Sequence, residues 1–278
     1  MRFWILSLLV VSGFSGCFPR AKPDTLRRYT DLEAARAEAE KVRYVNLYDQ
    51  GRSQFPPALT DFPALTKLSL RKNPIKEVPG SVADLKTLEW LDLGECGLSA
   101  LPAELGQLSG LEKLWINDNR LTSVPAEVFG LPELVYLNLD RNKLGTVPEA
   151  IGNLAKIKWL RLNDNGITNL PPVIGELGTL QRLYLNSNKL ASVPDALGSL
   201  SNLTDLDLGD NQLVSLPDGI VTLAALRQLD LQGNRLTALP EDIQQLAGLE
   251  CLRLERNALS DGEKARVRKA LPDCFVSF

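Results

Sequence analysis

Histidine is absent from the 278 residues of the chain, and only four cysteines and one methionine are present. Without histidine there is no Ser-His-Asp or Cys-His catalytic centre and no histidine-ligated metal. A basic excess is also missing, because the formal net charge is −3, which argues against a general nucleic-acid-binding protein. Since no nucleophile–base pair or metal-ligand cluster is apparent either, the sequence predicts a protein that is not an enzyme and needs no cofactor.

A hydrophobic run long enough to span a bilayer is missing too. The apolar segment at residues 3–11 is shorter than the roughly 20 residues of a transmembrane helix. Residues 1–16 are therefore predicted to be a signal peptide. The Ser15-Gly16-Cys17 sequence resembles a bacterial lipobox, which implies lipidation of Cys17. Ordinary secretion and an uncleaved anchor are the alternatives, and Phe18 after the cysteine favours the outer membrane.

Cap segments are predicted on both sides of the central region. Residues 17–29 are basic and indicate a solvated tether, with contact to anionic head groups as the alternative. Residues 30–64 begin with the capping box Thr30-Asp31-Leu32-Glu33 and hold a cap helix and a degenerate first repeat. Residues 260–278 begin with Ser260-Asp261-Gly262-Glu263 and form the C-terminal cap. Both caps are expected to cover the ends of an array at residues 65–259.

Apolar residues recur with a spacing of 23 throughout the central region: Leu65, Leu88, Leu111, Leu134, Ile157, Leu180, Leu203, Leu226 and Leu249. Each opens the pattern L-x-x-L-x-L-x-x-N-x-L, followed by L-P-x-x-[I/L]-G-x-L. This pattern resembles the leucine-rich repeat family, and with the lipobox the chain resembles a bacterial leucine-rich repeat lipoprotein. The resemblance implies an α/β solenoid with a concave parallel β-sheet, capped by a helix at each end.

The pattern also assigns each position of the repeat a physical role. Positions four and six alternate inward on a short strand, whereas positions three, five, seven and eight point outward. The asparagine at position nine can satisfy the backbone groups of the following turn. It recurs as Asn73, Asn119, Asn142, Asn165, Asn188, Asn211, Asn234 and Asn257, and Cys96 replaces it once.

Tryptophan and tyrosine are concentrated at the outward positions, whereas phenylalanine lies elsewhere. Strand propensity would favour phenylalanine equally, so the distribution indicates a wet binding surface, where an aromatic ring with a polar group is favoured. The alternative is that strand propensity alone places tyrosine and tryptophan at these positions. The predicted ligand-binding residues on this surface are Trp90, Trp115, Tyr136, Trp159, Arg161, Arg182, Tyr184, Asp205 and Asp207.

An acidic cluster follows the aromatic residues on the same predicted face: Asp205, Asp207, Asp210 and Asp230. Four carboxylates on one face could hold Ca²⁺. Solvated aspartates, or one electrostatic half of a protein interface, are the favoured interpretations, so no metal site is predicted.

Two cysteines near the C-terminus form a candidate disulfide. Cys251 and Cys274 are 23 residues apart, so they would occupy neighbouring strands about 4.8 Å apart if the register continues. The alternative is that Cys274 faces the core beneath the cap.

These observations favour a monomeric envelope lipoprotein that binds a protein partner through its aromatic concave face. Its contact with the membrane would be the lipid anchor, and it would not bind nucleic acid. A glycan- or peptidoglycan-binding surface lipoprotein is the alternative, and a passive structural role is a third hypothesis.

Overall fold

Twelve parallel strands form one sheet whose spatial order is the chain order. This computed structural model describes residues 26–278, and the predicted signal peptide and Cys17 lie outside them. The strands are β1 (Arg28–Tyr29), β2 (Tyr44–Asn46), β3 (Lys67–Ser69), β4 (Trp90–Asp92), β5 (Lys113–Trp115), β6 (Tyr136–Asn138), β7 (Trp159–Arg161), β8 (Arg182–Tyr184), β9 (Asp205–Asp207), β10 (Gln228–Asp230), β11 (Cys251–Arg253) and β12 (Phe275–Ser277).

Between β2 and β11 the strands pair in the 23-residue register, as Leu160 opposite Leu183 illustrates. Leu160 and Leu162 at positions four and six are buried, as the alternation predicts. Each of these strands ends after three residues, and position eight then adopts a left-handed backbone, with φ of 51° at Asp164 and 49° at Asp210. A left-handed residue cannot continue a strand, so the chain turns back toward the core.

Buried asparagines hold the turns together in the way that the sequence predicts. Asn188 Nδ2 donates to the carbonyl oxygens of Leu162, Leu185 and Asn186 at 3.0, 2.9 and 3.3 Å. Its Oδ1 accepts from the backbone N–H groups of Asn165 and Ile167 at 3.1 and 3.0 Å. One side chain therefore satisfies backbone groups of two consecutive repeats.

Short helical segments close each repeat on the convex side. Most are 3₁₀ helices, at Ala39–Lys41, Pro57–Asp61, Gly80–Asp84, Ala103–Gln107, Glu149–Asn153, Pro172–Glu176, Asp195–Ser199, Asp218–Thr222 and Ile243–Gln245. The α-helices are α1 (Leu32–Arg36), α2 (Ala126–Phe129) and α3 (Asp261–Ala270). Proline precedes most of these segments, where its missing N–H costs no hydrogen bond. None of the helices in residues 26–278 is long and apolar enough to cross a membrane.

The N-terminal cap differs in detail from the prediction. The sheet already begins at Arg28–Tyr29, inside the segment interpreted as a solvated tether, and Tyr29 is buried. The N-cap of α1 is Asp31 instead of Thr30, because the Asp31 side chain accepts from Ala34 N at 2.8 Å. Burial of Leu32 and Ala35 against the first repeats explains why this segment folds onto the solenoid.

At the C-terminus, the predicted disulfide is wrong. Cys251 and Cys274 are free thiols, and Cys251 pairs with Phe275 instead of Cys274. The register is displaced by one residue because α3 replaces the 3₁₀ segment of the other repeats. Ser260 caps α3 by accepting from Glu263 N at 3.2 Å, but Glu263 binds Leu239 N at 2.8 Å and so leaves the capping box half formed.

Candidate functional site

Five aromatic side chains form a continuous row across the concave face. We call Tyr44, Trp90, Trp115, Tyr136 and Trp159 the aromatic row. The successive ring centroids are 6.2, 5.0, 4.6 and 5.8 Å apart. Side chains at positions three and five of neighbouring strands point to the same face of the sheet, so residues from different repeats meet there.

The rings are less exposed than the sequence suggests. Tyr136 and Tyr184 are only 5% and 4% exposed, whereas the three tryptophans of the row are partly exposed. Burial raises the pKa of both tyrosine hydroxyls. The expectation of a wet surface therefore does not hold at the two tyrosines, because neighbouring side chains on a concave surface shield each other.

Two arginines extend the aromatic row toward the C-terminus. The Arg182 guanidinium lies 4.5 Å from the Trp159 ring centroid, and that of Arg161 lies 4.8 Å from the Tyr184 ring. Both distances fit cation–π contacts. Arg161 also pairs with Asp140 at 2.6 Å, and Arg182 with Asp205 at 3.5 Å.

Asp140 belongs to this site although the sequence-based assignment omits it. It occupies position seven of the β6 repeat and is 1% exposed. Its Oδ1 accepts from Asn163 N at 2.8 Å and its Oδ2 from Arg161 Nε at 2.6 Å. A carboxylate one repeat before an outward arginine was the sequence signal that could have indicated it.

Acidic or amide side chains at position five have a structural role. Asp207 Oδ1 accepts from Gly209 N and Asp230 Oδ1 from Gln232 N, both at 3.0 Å. Asn138 makes the same contact with Asp140 N at 2.9 Å. These side chains cap the N–H two residues beyond the strand, so part of the predicted acidic cluster stabilises the fold.

Burial changes the acidity of these carboxyl groups. It raises the pKa of Asp207, with the Gly209 N–H acting in the opposite direction. It also raises the pKa of Asp230 to about 6, partly offset by the Gln232 N–H, while the Asp207 charge raises it further. Asp230 is 1% exposed, so desolvation is the expected dominant cause.

The acidic cluster is not arranged as a metal site. Asp205 pairs with Arg182, and Asp210 pairs with Arg256 at 2.8 Å. Between residues 26 and 278, the structure contains no group of three or more His, Cys, Asp or Glu side chains that could hold a metal ion. The four aspartates thus contact arginines and backbone N–H groups instead of converging on one point.

A depression opens in the concave face beyond the aromatic row. We call it the Asp207 depression, and its lining includes Arg161, Asn163, Tyr184, Asn186, Asp207 and Asp230. Gly209 occupies position seven between Asn186 and Gln232 and supplies no side chain. A Cβ at Gly209 would lie 2.6 Å from Asn186 Nδ2, 3.2 Å from Asp207 Oδ1 and 3.3 Å from Asp230 Oδ1. A side chain at this position would collide with the Asn186 amide and crowd both carboxyl groups, so the close approach of these three side chains depends on the glycine.

Comparison with known protein families agrees with this architecture. A family model described as leucine-rich repeat region matches residues 125–212, and one described as leucine rich repeat matches residues 201–259. The two models together match residues 125–259, and the fold is that of a leucine-rich repeat solenoid. No curated protein matches the chain.

Solved structures with similar folds include two bacterial proteins. A leucine-rich repeat protein of Leptospira interrogans is 23% identical, with a TM-score of 0.52 over 91% of this chain and 100% of that chain. An internalin from Listeria monocytogenes is 22% identical, with a TM-score of 0.65 over 84% of this chain and 72% of that chain. These two similarities concern the fold alone.

A plant receptor structure is similar at higher sequence identity. It is the ectodomain of a membrane receptor kinase from Arabidopsis thaliana, in complex with CASPARIAN STRIP INTEGRITY FACTOR 2. It is 28% identical, with a TM-score of 0.69 over 79% of this chain. This chain spans only 27% of that ectodomain chain, so the similarity concerns a part of the receptor.

Proposed function

We propose that the protein binds a protein partner through the aromatic row and the two arginines beside it, while a lipid on Cys17 holds it at the bacterial cell envelope. The observation that carries the binding proposal is the continuous contact from Tyr44 to Trp159. Tryptophan, tyrosine and arginine dominate the energetics of protein interfaces, and solenoids use their concave surfaces for binding.

The ring geometry favours a protein partner over the glycan alternative. Trp115 has Trp90 and Tyr136 at 5.0 and 4.6 Å, and Trp159 has Tyr136 and Arg182 at 5.8 and 4.5 Å. A sugar ring stacks on an open aromatic face, whereas each of these two tryptophans already has two neighbouring rings or cations within 5.8 Å. Partly covered tryptophans instead suit the packed, desolvated centre of a protein interface.

The plant ectodomain gives this proposal further support. Its structure is a complex with CASPARIAN STRIP INTEGRITY FACTOR 2, which is an example of a bound partner on a solenoid of similar fold. That factor binds the plant receptor, and we do not propose it as the partner of this chain.

A pull-down from envelope extracts with the mature chain tests the binding proposal. We expect Trp115→Ala to weaken binding of the recovered partner by about 2 kcal/mol or more, because a central aromatic anchor is lost. The same change removes two ring contacts, each worth about 0.5–1.5 kcal/mol. The unfolding midpoint of the variant is therefore measured first, and binding is assayed well below it.

Val214→Ala is the matched control for this experiment. Val214 is 57% exposed and lies at position twelve of its repeat, away from the concave face. Equal loss of binding in Val214→Ala and Trp115→Ala would contradict the proposal, and so would a partner that binds folded Trp115→Ala with unchanged affinity. A glycan array that captures the wild-type chain through Trp115 would favour the carbohydrate alternative.

The anchoring proposal rests on the Ser15-Gly16-Cys17 sequence after an apolar segment. We expect the native protein to partition into detergent and Cys17→Ser to release it from the membrane or to block its processing, because the thiol is the acylation site of the lipobox. Outer-membrane fractionation and intact-mass measurement of the purified protein are the readouts. A wild-type chain recovered from its host in soluble form and without lipid would contradict the anchor.

A further inference from the structure

The arginines that line the Asp207 depression are in ion pairs within the described residues, whereas two of its aspartates are not. Each of three lining arginines already binds a carboxylate: Arg141 binds Asp118, Arg161 binds Asp140 at 2.6 Å and Arg253 binds Asp230 at 3.5 Å. Asp164 and Asp207 also line the depression, and no Lys or Arg of residues 26–278 lies within salt-bridge distance of either. The charge left over in the depression is negative.

Asp207 directs an unpaired oxygen into this space. Asp207 is only 5% exposed, and its Oδ1 accepts from Gly209 N at 3.0 Å and from Asn186 Nδ2 at 3.4 Å. Within the described part of the chain, Oδ2 accepts no hydrogen bond, although the protein does not enclose this oxygen completely. A buried carboxylate oxygen without a donor is costly, and Asp207 is one of the residues that line the depression.

The shape of the depression supports the same conclusion. The Asp207 and Asp230 carboxyl groups both line the depression, with their Oδ1 atoms 3.2 and 3.3 Å from the place that a Cβ at Gly209 would take, and the Tyr184 side chain lines it beside them. Burial and mutual repulsion raise the pKa of Asp230, and a cation placed between the two groups would relieve that repulsion.

We infer that the Asp207 depression receives a lysine or arginine side chain of the protein partner, whose neighbouring segment lies on the aromatic row. The inference rests on the proposed protein-binding function and specifies the chemistry of the partner. An anion would meet Asp207 directly, and an apolar side chain would leave its Oδ2 without a donor. A cationic side chain supplies both the charge and the N–H groups that this oxygen lacks.

The chain itself supplies a conservative variant for the test. Asn46 and Asn138 occupy position five in other repeats and accept from the N–H two residues later at 3.0 and 2.9 Å. Asp207→Asn should therefore keep the contact with Gly209 N and the fold while it removes the charge. Asp92→Asn is the matched control, because Asp92 accepts from Gly94 N at 3.0 Å outside the depression.

The probe is a phage-displayed library of random peptides selected on the intact protein. We expect peptides whose binding is lost in Trp115→Ala to share a lysine or arginine. Changing that residue to glutamine should weaken binding about tenfold or more, as for a hydrogen bond to a charged group. Asp207→Asn should weaken the unchanged peptide similarly, whereas Asp92→Asn should leave its affinity unchanged.

The outcomes separate this inference from the proposed function. Peptides that require Trp115 but bind Asp207→Asn and wild type equally would overturn the inference and leave the protein-binding proposal intact. A library in which no selected peptide depends on Trp115 would overturn the proposed function. If Asp207→Asn does not fold, the lysine-to-glutamine change in the peptide decides alone, since no weakening there would overturn the inference.

Discussion

Replacing Asn188 with alanine is expected to lower the free energy of unfolding by about 4 kcal/mol, because several buried backbone groups lose their partners at once. Three carbonyl oxygens lose the Nδ2 donor and two N–H groups lose the Oδ1 acceptor. Each unsatisfied buried group costs about 1–3 kcal/mol before relaxation. Urea denaturation of both proteins measures the difference.

Two further variants calibrate this expectation. Asn188→Cys should cost less than Asn188→Ala, because Cys96 occupies the equivalent place, with its Sγ 3.3 and 3.4 Å from the carbonyl oxygens of Leu70 and Gly94. Asn202→Ala should have little effect, since Asn202 is exposed and donates one hydrogen bond to Gly178 O. An Asn188→Ala chain as stable as Asn202→Ala would show that the buried asparagines do not stabilise the array.

Gly175→Ala is expected to cost about 3 kcal/mol, the upper end of the usual range for overpacking. Gly175 lies in the Pro172–Glu176 segment, which packs against the next repeat. A Cβ there would be 2.2 Å from Ala196 O and 2.9 Å from Ala196 C. Because the obstacle is backbone, two repeats would have to separate to admit one methyl group. Thermal or urea unfolding measures the loss.

Gly178, three residues later in the same repeat, provides the matched control. A Cβ at Gly178 would meet nothing within 4 Å, and its φ is not in the left-handed region. Gly178→Ala should therefore leave stability unchanged or raise it slightly, because alanine restricts the unfolded chain. Equal unfolding midpoints for the two glycine variants would contradict the prediction, because the methyl group at Gly175 would then fit between the neighbouring repeats without cost.

The sequence was sufficient for the repeat because the core and backbone contacts of each repeat are made with its neighbours. Leu160, Leu162 and Asn165 lie where the 23-residue pattern predicts, since each repeat packs only on the one before and the one after. The C-terminal register was not predictable in this way. There α3 replaces the usual 3₁₀ segment, and the change in length places Phe275 beside Cys251.

For the candidate site, the sequence identified the face and most of its side chains but not their environment. Trp90, Trp115, Tyr136 and Trp159 are in contact, as their outward positions suggested. Their burial depends on how closely side chains from three or more strands approach on a concave surface. Position within one repeat contains no information about that approach.

By itself, the sequence determined that this protein is a solenoid, which face of its sheet carries the aromatic residues, and where the turns lie, because period and alternation are local properties. Only the tertiary structure decided which charges on that face are available. Asp140 and Asp230 are buried beneath arginines, whereas Asp207 keeps an oxygen open to the depression. Pairing and desolvation arise between side chains of different repeats, and they determine whether an aspartate stabilises the fold or remains available to a partner.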